Sequence, residues 1–404
     1  MSENPLLQIE NLTAGFTDDS GNRTAVLKNV ALALEAGETL GIVGESGSGK
    51  SVTSLHLMGL LPTPPAYIEH GKIHLASHEL VGDPDAVKSL RGSVAAMIFQ
   101  EPMTALNPVK TCGKQVTEML RLHLKLNKAE AKQRTIELFG EVRLPDPQRA
   151  YSAYPHELSG GQKQRIVIAM AISCKPKLLI ADEPTTALDV TVQAEILELL
   201  KSLQKLHGMG MIFITHDLGV VQDIADHIAV MYRGEIVEAG PAKQILDKPS
   251  HPYTQGLMAC RPPLHNRPRR LPTLADWMAG NTGAAQTTLI SDEQRQERLA
   301  KLYSQEALLS VSHVGKSYVS GGGFFNPKRA ITKAVADVSF DVYPGETLGL
   351  VGESGCGKTT LSRIILGLIP KDAGELRWRG ETLDWEKQSK TFRKEIQIIF
   401  QDPY

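Results

Sequence analysis

Two stretches of this 404-residue chain have the composition and spacing of a phosphate cradle. The first is Gly44, Glu45, Ser46, Gly47, Ser48, Gly49, Lys50, Ser51, and the second is Gly352, Glu353, Ser354, Gly355, Cys356, Gly357, Lys358, Thr359. Both fit G-x-x-x-x-G-K-[ST]. Glycines let the backbone bend until consecutive N–H groups face one anion. Lys50 would then reach the β- and γ-phosphates of a nucleotide, and the Ser51 hydroxyl would ligate Mg²⁺. Lys358 and Thr359 would act alike in the second stretch. An apolar β-type run (TLGIV, TLGLV) precedes each cradle, and a helix-forming run follows, adding a helix N-terminus to the anion site. A glycine-rich turn without ligand is the alternative, and the recurrence in equivalent positions argues against it.

Two further runs end in groups that suit a phosphate. KLLIADEP, Lys177 to Pro184, is apolar until Asp182 and Glu183. In a parallel sheet both faces are covered and the C-terminal strand ends meet the ligand. Asp182 is placed to hold a Mg²⁺ shell, and Glu183 to polarise an attacking water. A solvated strand end is the competing reading, and the phosphate cradle makes it the weaker one. MIFITHD, Met211 to Asp217, repeats the pattern with His216 at its end, where a γ-phosphate contact is expected.

The elements that must carry these groups read as alternating strands and helices, with an internal repeat laid over them. ETLGIVGESGSGKS returns as ETLGLVGESGCGKT, and IFQEP returns as IFQDP. A spacing of about 300 residues is far beyond solenoid periods and means tandem domains. Residues 262–306 differ in character, rich in proline and arginine and then small and polar, and read as a linker ending in a short exposed helix. Residues 1–261 thus read as one complete domain and 307–404 as the N-terminal part of a second. The second copy stops just after Gln401-Asp402-Pro403, so the expectation is a fragment of a longer product, with a remnant second copy as the alternative. The expected fold is α/β: a mostly parallel core sheet with helices on both faces, an antiparallel β-subdomain and a helical subdomain at about 102–158.

Composition narrows the class. A net charge of −1 gives no electrostatic footprint for nucleic acid. The cysteines, Cys112, Cys174, Cys260 and Cys356, have no CxxC spacing and fit a reducing compartment. The N-terminus has no signal-peptide pattern, and no apolar run is long enough for a membrane span.

LSGGQKQR, Leu158 to Arg165, ahead of the acidic strand, resembles the signature of the ABC ATPase family. Ser159, Gly160, Gly161 and Gln162 open a helix and offer a second anion site. The resemblance implies that this site contacts the γ-phosphate of ATP bound to an opposite domain, a second nucleotide-binding domain in cis or a second copy. It further implies that Phe16 and Tyr318 stack on adenine, that Gln100 and Gln401 sense the γ-phosphate and Mg²⁺, and that Asp189 belongs to a loop crossing to the partner. Three strings, EPMTALNP, YPHELSGG and HPYTQGL, resemble the dipeptide/oligopeptide/nickel importer ATPases in their fused form. That resemblance implies ATP and Mg²⁺ as cofactors, two membrane permease subunits and a solute-binding protein as partners, and a peripheral place on the cytoplasmic face of the inner membrane. Cys260 stands alone where some members carry a cysteine cluster, so no iron–sulfur centre is expected. A soluble twin-domain ATPase acting on ribosomes or nucleic acid is the alternative, as is a regulatory relic without hydrolysis. The sequence lacks the charged helical linker or coiled-coil insertion that the first of these would carry.

Overall fold

A computed structural model of the chain describes residues 5–100, 105–186, 188–261, 268–280, 289–320, 330–353, 355–383, 385 and 394–400. They form two compact units, Met1–Leu264 with Arg270–Thr287, and His265–Arg269 with Thr288–Tyr404.

In the first unit, β1 (Leu7–Thr17), β2 (Arg23–Leu34), β4 (Ala66–Leu75) and β5 (His78–Glu79) form an antiparallel sheet in the order β2-β1-β4-β5. The main sheet has six strands. Its members are β3 (Thr39–Val43), β6 (Ala95–Ile98), β7 (Leu178–Asp182), β8 (Gly210–Thr215), β9 (His227–Tyr232) and β10 (Glu235–Pro241), in the order β10-β9-β3-β8-β7-β6. All run parallel except β10, which pairs antiparallel with β9.

The apolar runs recognised in the sequence are apolar because both sheet faces are covered. Successive residues alternate between two cores. Leu179, Ala181, Met211 and Phe213 join the core beneath the helices Gly160–Ile172, Val190–His207 and Leu218–Ile224. Leu178, Ile180, Ile212 and Ile214 join the core shared with the antiparallel sheet and the helices Lys50–Leu57 and Pro84–Leu90. Period-two alternation with both faces buried is what a two-sided strand requires.

The helical subdomain consists of Cys112–Leu124, Lys128–Glu141 and Pro147–Ser152, leading to the signature helix Gly160–Ile172. Asn127 and Glu130 form a capping box that starts Lys128–Glu141, satisfying two helix-end N–H groups. Helix Val190–His207 ends on Gly208 at φ 62°, as its sequence predicts. The sequence VTVQAEILELLKSLQKLHG puts Val192, Ile196, Leu199, Leu203 and Leu206 on one expected core face; Ile196, Leu199 and Leu203 are buried, Val192 is half-buried, and Leu206 is 67% exposed. Within the stretch read as a linker, helix Leu274–Met278 lies on helix Pro252–Ala259 in the first unit, with Leu274 and Trp277 against Gly256.

The second unit repeats the antiparallel sheet: β11 (Leu309–Ser320), β12 (Ala330–Val342), β13 (Ala373–Trp378) and β14 (Glu381–Thr382), in the order β12-β11-β13-β14. Helix Lys358–Ile365 packs Leu361 and Ile364 against Val311, Val314 and Leu376. Helix Asp292–Tyr303 has no buried residue and sets Tyr303 edge-on to Tyr343.

Candidate nucleotide site

The strand order assembles the site. Because β3, β8, β7 and β6 are parallel neighbours, their C-terminal ends lie side by side on one edge. The cradle leaves β3, His216 follows β8, Asp182 and Glu183 end β7, and Gln100 follows β6. Ligands of open parallel sheets bind at this edge.

The loop from Gly44 to Gly49 turns into helix Lys50–Leu57. Gly47 and Gly49 hold φ of 79° and 108°, the left-handed region that side chains strain to enter. Lys50 is buried, and its Nζ donates to the carbonyls of Gly44 and Glu45, both at 2.7 Å. Burial pushes its pKa below the ordinary lysine value, against the opposing charges of Glu183, Asp182 and Glu45. The Ser51 hydroxyl donates to Asp182 Oδ1 at 3.1 Å. Burial raises the Asp182 carboxyl; the Ser51 bond and the Lys50 charge oppose this, and the neighbouring Glu183 charge adds to it.

Glu183 leaves β7 with φ 46°, an uncommon conformation for a residue with a side chain, while its N–H still pairs with the Ile214 carbonyl. This kink aims the carboxylate at three neighbours. Gln100 Nε2 donates to Oε2 at 3.1 Å, Thr186 Oγ1 donates to Oε2 at 2.9 Å, and His216 Nδ1 lies 3.2 Å from Oε1. Burial works to raise this carboxyl, but the hydrogen bonds from His216 and Thr186 and the charges of His216 and Lys50 outweigh it. The result is a pKa below the ordinary glutamate value.

Two bonded groups thus meet at this edge, Ser51 with Asp182 and Gln100 and His216 with Glu183, linked through the adjacent residues Asp182 and Glu183, with the Lys50 charge acting on both carboxylates. The other sequence-singled residues stand apart from them. Phe16 lies half-buried near the end of β1, opposite Thr24 and Ala66. Ser159 caps the signature helix: its Oγ accepts the Gln162 N–H at 3.3 Å, and Gln162 Oε1 accepts the Ser159 N–H at 3.2 Å. Gly160 and Gly161 open that helix, with Leu188 and Val192 beside them. Asp189 caps helix Val190–His207, accepting the Val192 N–H at 2.9 Å.

In the second unit Lys358 folds onto its own loop as Lys50 does, donating to Gly352 and Glu353 carbonyls at 2.6 and 2.7 Å. Cys356 Sγ lies 3.5 Å from its Nζ, where the first loop has Ser48 Oγ at 3.5 Å. Gly355 and Gly357 repeat the positive φ of their counterparts, and Thr359 lines a cavity with Lys358, Ile398 and Phe400. Tyr318 is exposed on β11 with the Lys316 ammonium over its ring. Ser354 and Gln401 lie outside the described residues, as do Glu101 to Thr104 of the EPMTALNP string.

Two partners of this site were given no role by the sequence, although Gln164 lies within the signature string. Thr186 holds the Glu183 carboxylate, and the only sequence hint is its position one turn after Glu183. Gln164, fully buried on the signature helix, donates to the Pro184 carbonyl at 2.6 Å. It ties that helix to the residue after Glu183. Among the described residues no three His, Cys, Asp or Glu side chains form a metal cluster. The oxygen pair Ser51 and Asp182 instead suits a hard cation that keeps waters and substrate phosphates in its shell, as Mg²⁺ does.

Comparison with known proteins decides the family. A profile described as "ABC transporter" matches residues 27–186 and 335–404. The chain belongs to the ABC transporter family. A second profile, "Oligopeptide/dipeptide transporter, C-terminal region", matches residues 237–286 of this ABC protein. The chain is 45% identical to the glutathione import ATP-binding protein GsiA of Salmonella choleraesuis over 99% of its own length and 64% of the relative's. It therefore spans less than two thirds of such relatives. Among solved structures, cbiO1 from Clostridium perfringens, part of the ABC transporter complex cbiONQ, is 28% identical with a TM-score of 0.53, over 61% of this chain and 92% of that one. The ATP-binding cassette MJ0796, solved as a dimer in a post-hydrolysis state with ADP and Pi, is 28% identical with a TM-score of 0.52, over 58% of this chain and 98% of that one. The expected α/β ABC ATPase fold and the oligopeptide-type membership are thus both established.

Proposed function

We propose that this ABC protein is the ATP-hydrolysing subunit of an importer for peptides or a related small solute, coupled to a separate membrane permease. The observation that carries the reading is the gathering of Ser51 on Asp182, and of Gln100 and His216 on the adjacent Glu183, at the sheet edge that carries the Lys50 loop. Lys50 is poised to leave two loop carbonyls for phosphate oxygens, which are stronger acceptors for an ammonium. Mg²⁺, when bound by Ser51 and Asp182, would neutralise charge building on the phosphates. Glu183, kept ionised by His216, Thr186 and the Lys50 charge, orients a water and takes its proton; His216 and Gln100 fix the carboxylate's direction. Gln100 could also turn to the cation, as could Thr359 and Gln401 in the second copy.

The signature Ser159 to Gln162 opens a helix N-terminus on the helix after the helical subdomain, separate from the Lys50 loop, which supports its loan to a second nucleotide-binding domain, whether Lys358 and Thr359 in this chain or another copy. Residues 1–261 and 307–404 would be the two nucleotide-binding regions. No helix among the described residues is long and apolar enough to cross a membrane, so a peripheral place on the cytoplasmic face requires permease partners. A solute-binding protein would deliver the cargo; glutathione, in the name of the curated relatives, is one candidate.

The test is uptake of labelled glutathione and dipeptides by cells carrying the full-length protein with its permease, against Lys50→Ala. Uptake and ATPase activity should both fall at least tenfold. Recovery of the protein with ribosomes or DNA and never with a permease would overturn the reading.

A further inference from the structure

The segment after the main sheet reaches back into the nucleotide site. Glu238 accepts from the Ser250 N–H, the Ser250 hydroxyl and the His251 N–H, fixing the entry to helix Pro252–Ala259. Tyr253, on the first turn of that helix, is fully buried, with its ring 4.2 Å from the Tyr232 ring. Its hydroxyl accepts the backbone N–H of Glu45, inside the phosphate cradle, at 2.9 Å. Burial raises the phenol's pKa, so the hydroxyl stays protonated while its oxygen accepts. Just beyond the helix, Arg261 Nη2 lies 3.4 Å from Asp217 Oδ1, next to His216, and its guanidinium covers Gly219.

We infer that Tyr253 is a positioning residue for the phosphate cradle. The Glu45 backbone is held on both sides, its N–H by Tyr253 and its carbonyl by Lys50. If Lys50 turns to a phosphate, its hold on the carbonyl is released and Tyr253 keeps the N–H end in place. The oligopeptide-type C-terminal region thereby braces the cradle, and through Arg261 it touches the loop carrying His216. This rests on the nucleotide reading above.

The test uses the full-length protein and measures ATP affinity by titration, turnover, thermal midpoint and amide exchange. Tyr253→Phe should weaken ATP binding about 5- to 10-fold, the equivalent of one net hydrogen bond. Turnover at saturation should stay within about twofold, because no group at the γ-phosphate changes. Exchange should quicken in the peptide covering Glu45 while the core strands stay protected. Glu45→Pro deletes the donor, so adding Tyr253→Phe to it should change affinity by less than about twofold. Unchanged affinity in Tyr253→Phe, or the same loss on the Glu45→Pro background, would show that Tyr253 acts through packing alone and overturn the brace. If Glu45→Pro does not fold, unchanged Glu45 exchange in Tyr253→Phe serves as the overturning result. A wild-type protein that binds no ATP would instead overturn the nucleotide reading and the brace with it.

Discussion

Glu183→Gln separates catalysis from structure more cleanly than any other change at this site. Two of the carboxylate's three contacts fall on Oε2, from Gln100 and Thr186, and both survive if the new amide directs its oxygen to them. Only the contact with His216, a side chain 60% exposed, changes from charged to neutral. One partner is exposed and the other, Glu183, only 12% exposed, so the pair sits near the top of the range of about 0–1 kcal/mol for surface pairs and the thermal midpoint should fall only slightly. The chemical loss is larger. A positioned general base contributes roughly 10²–10⁴-fold, or about 2.7–5.4 kcal/mol of barrier. Glu183 is held below the ordinary glutamate value, so it is ionised at neutral pH and the full contribution is lost on substitution. ATP affinity should be kept, because Lys50, Ser51 and Asp182 are untouched. The assay pairs phosphate release at saturating Mg-ATP with equilibrium ATP binding and a melting curve. Turnover within threefold of wild type would refute Glu183 as the base. A loss of turnover matched by a loss of binding would refute the separation of roles.

Thr186→Val keeps the volume but removes a donor that lowers the Glu183 pKa; the acid limb of the turnover profile should move to higher pH, since the active ionised form is then lost earlier as pH falls. An unmoved limb would mean that Thr186 does not hold the carboxylate during turnover. Asp182→Asn should abolish Mg-dependent ATP binding yet stabilise the nucleotide-free protein. The folded Asp182 pKa lies above its unfolded value, so ionisation costs stability as pH rises past the unfolded value, and the amide removes that cost. A gain of about 1 kcal/mol would raise the melting point by roughly 2–4 °C at pH 7.5, with less gain near pH 4; a lower melting point at pH 7.5 counts against the argument. Ser159→Ala removes the cap of the signature helix and should cost about 1 kcal/mol in denaturant titration. Its turnover should fall further than that small loss explains, and unaffected turnover would argue against a phosphate role for the signature.

Much of the site was legible in the sequence because its parts carry signatures. The glycines and Lys50 announce a phosphate loop, and apolar runs ending in Asp182, Glu183 and His216 announce buried parallel strands. The contacts that hold those groups were not legible. Thr186 is an ordinary threonine in a turn, and its hydroxyl matters only because the kink at Glu183 brings the carboxylate over it. Tyr253 sits in HPYTQGL, a string that carries a family resemblance and no assigned contact, while its partner Glu45 lies 208 positions away. Asp189 was singled out for a loop that crosses to a partner domain, and within this chain it is a helix cap.

The two copies divide what sequence decides from what tertiary structure decides. TLGIV and TLGLV differ by one methylene arrangement, and each precedes the same glycine-rich loop. Local sequence determines that loop in both: Gly47 and Gly355 share a φ of 79°, and Lys50 and Lys358 fold onto equivalent carbonyls. The strand before the loop is another matter. In the first unit it is β3, wholly buried, because β8 and β9 supply its hydrogen-bond partners on both sides. In the second unit the same residues form no strand, and Leu348, Leu350 and Val351 are 43, 45 and 90% exposed. A central parallel strand has no partners within its own stretch of sequence; its backbone groups are satisfied only when distant strands arrive beside it. The cradle is thus written in eight residues, and the sheet edge on which it works comes from the rest of the domain.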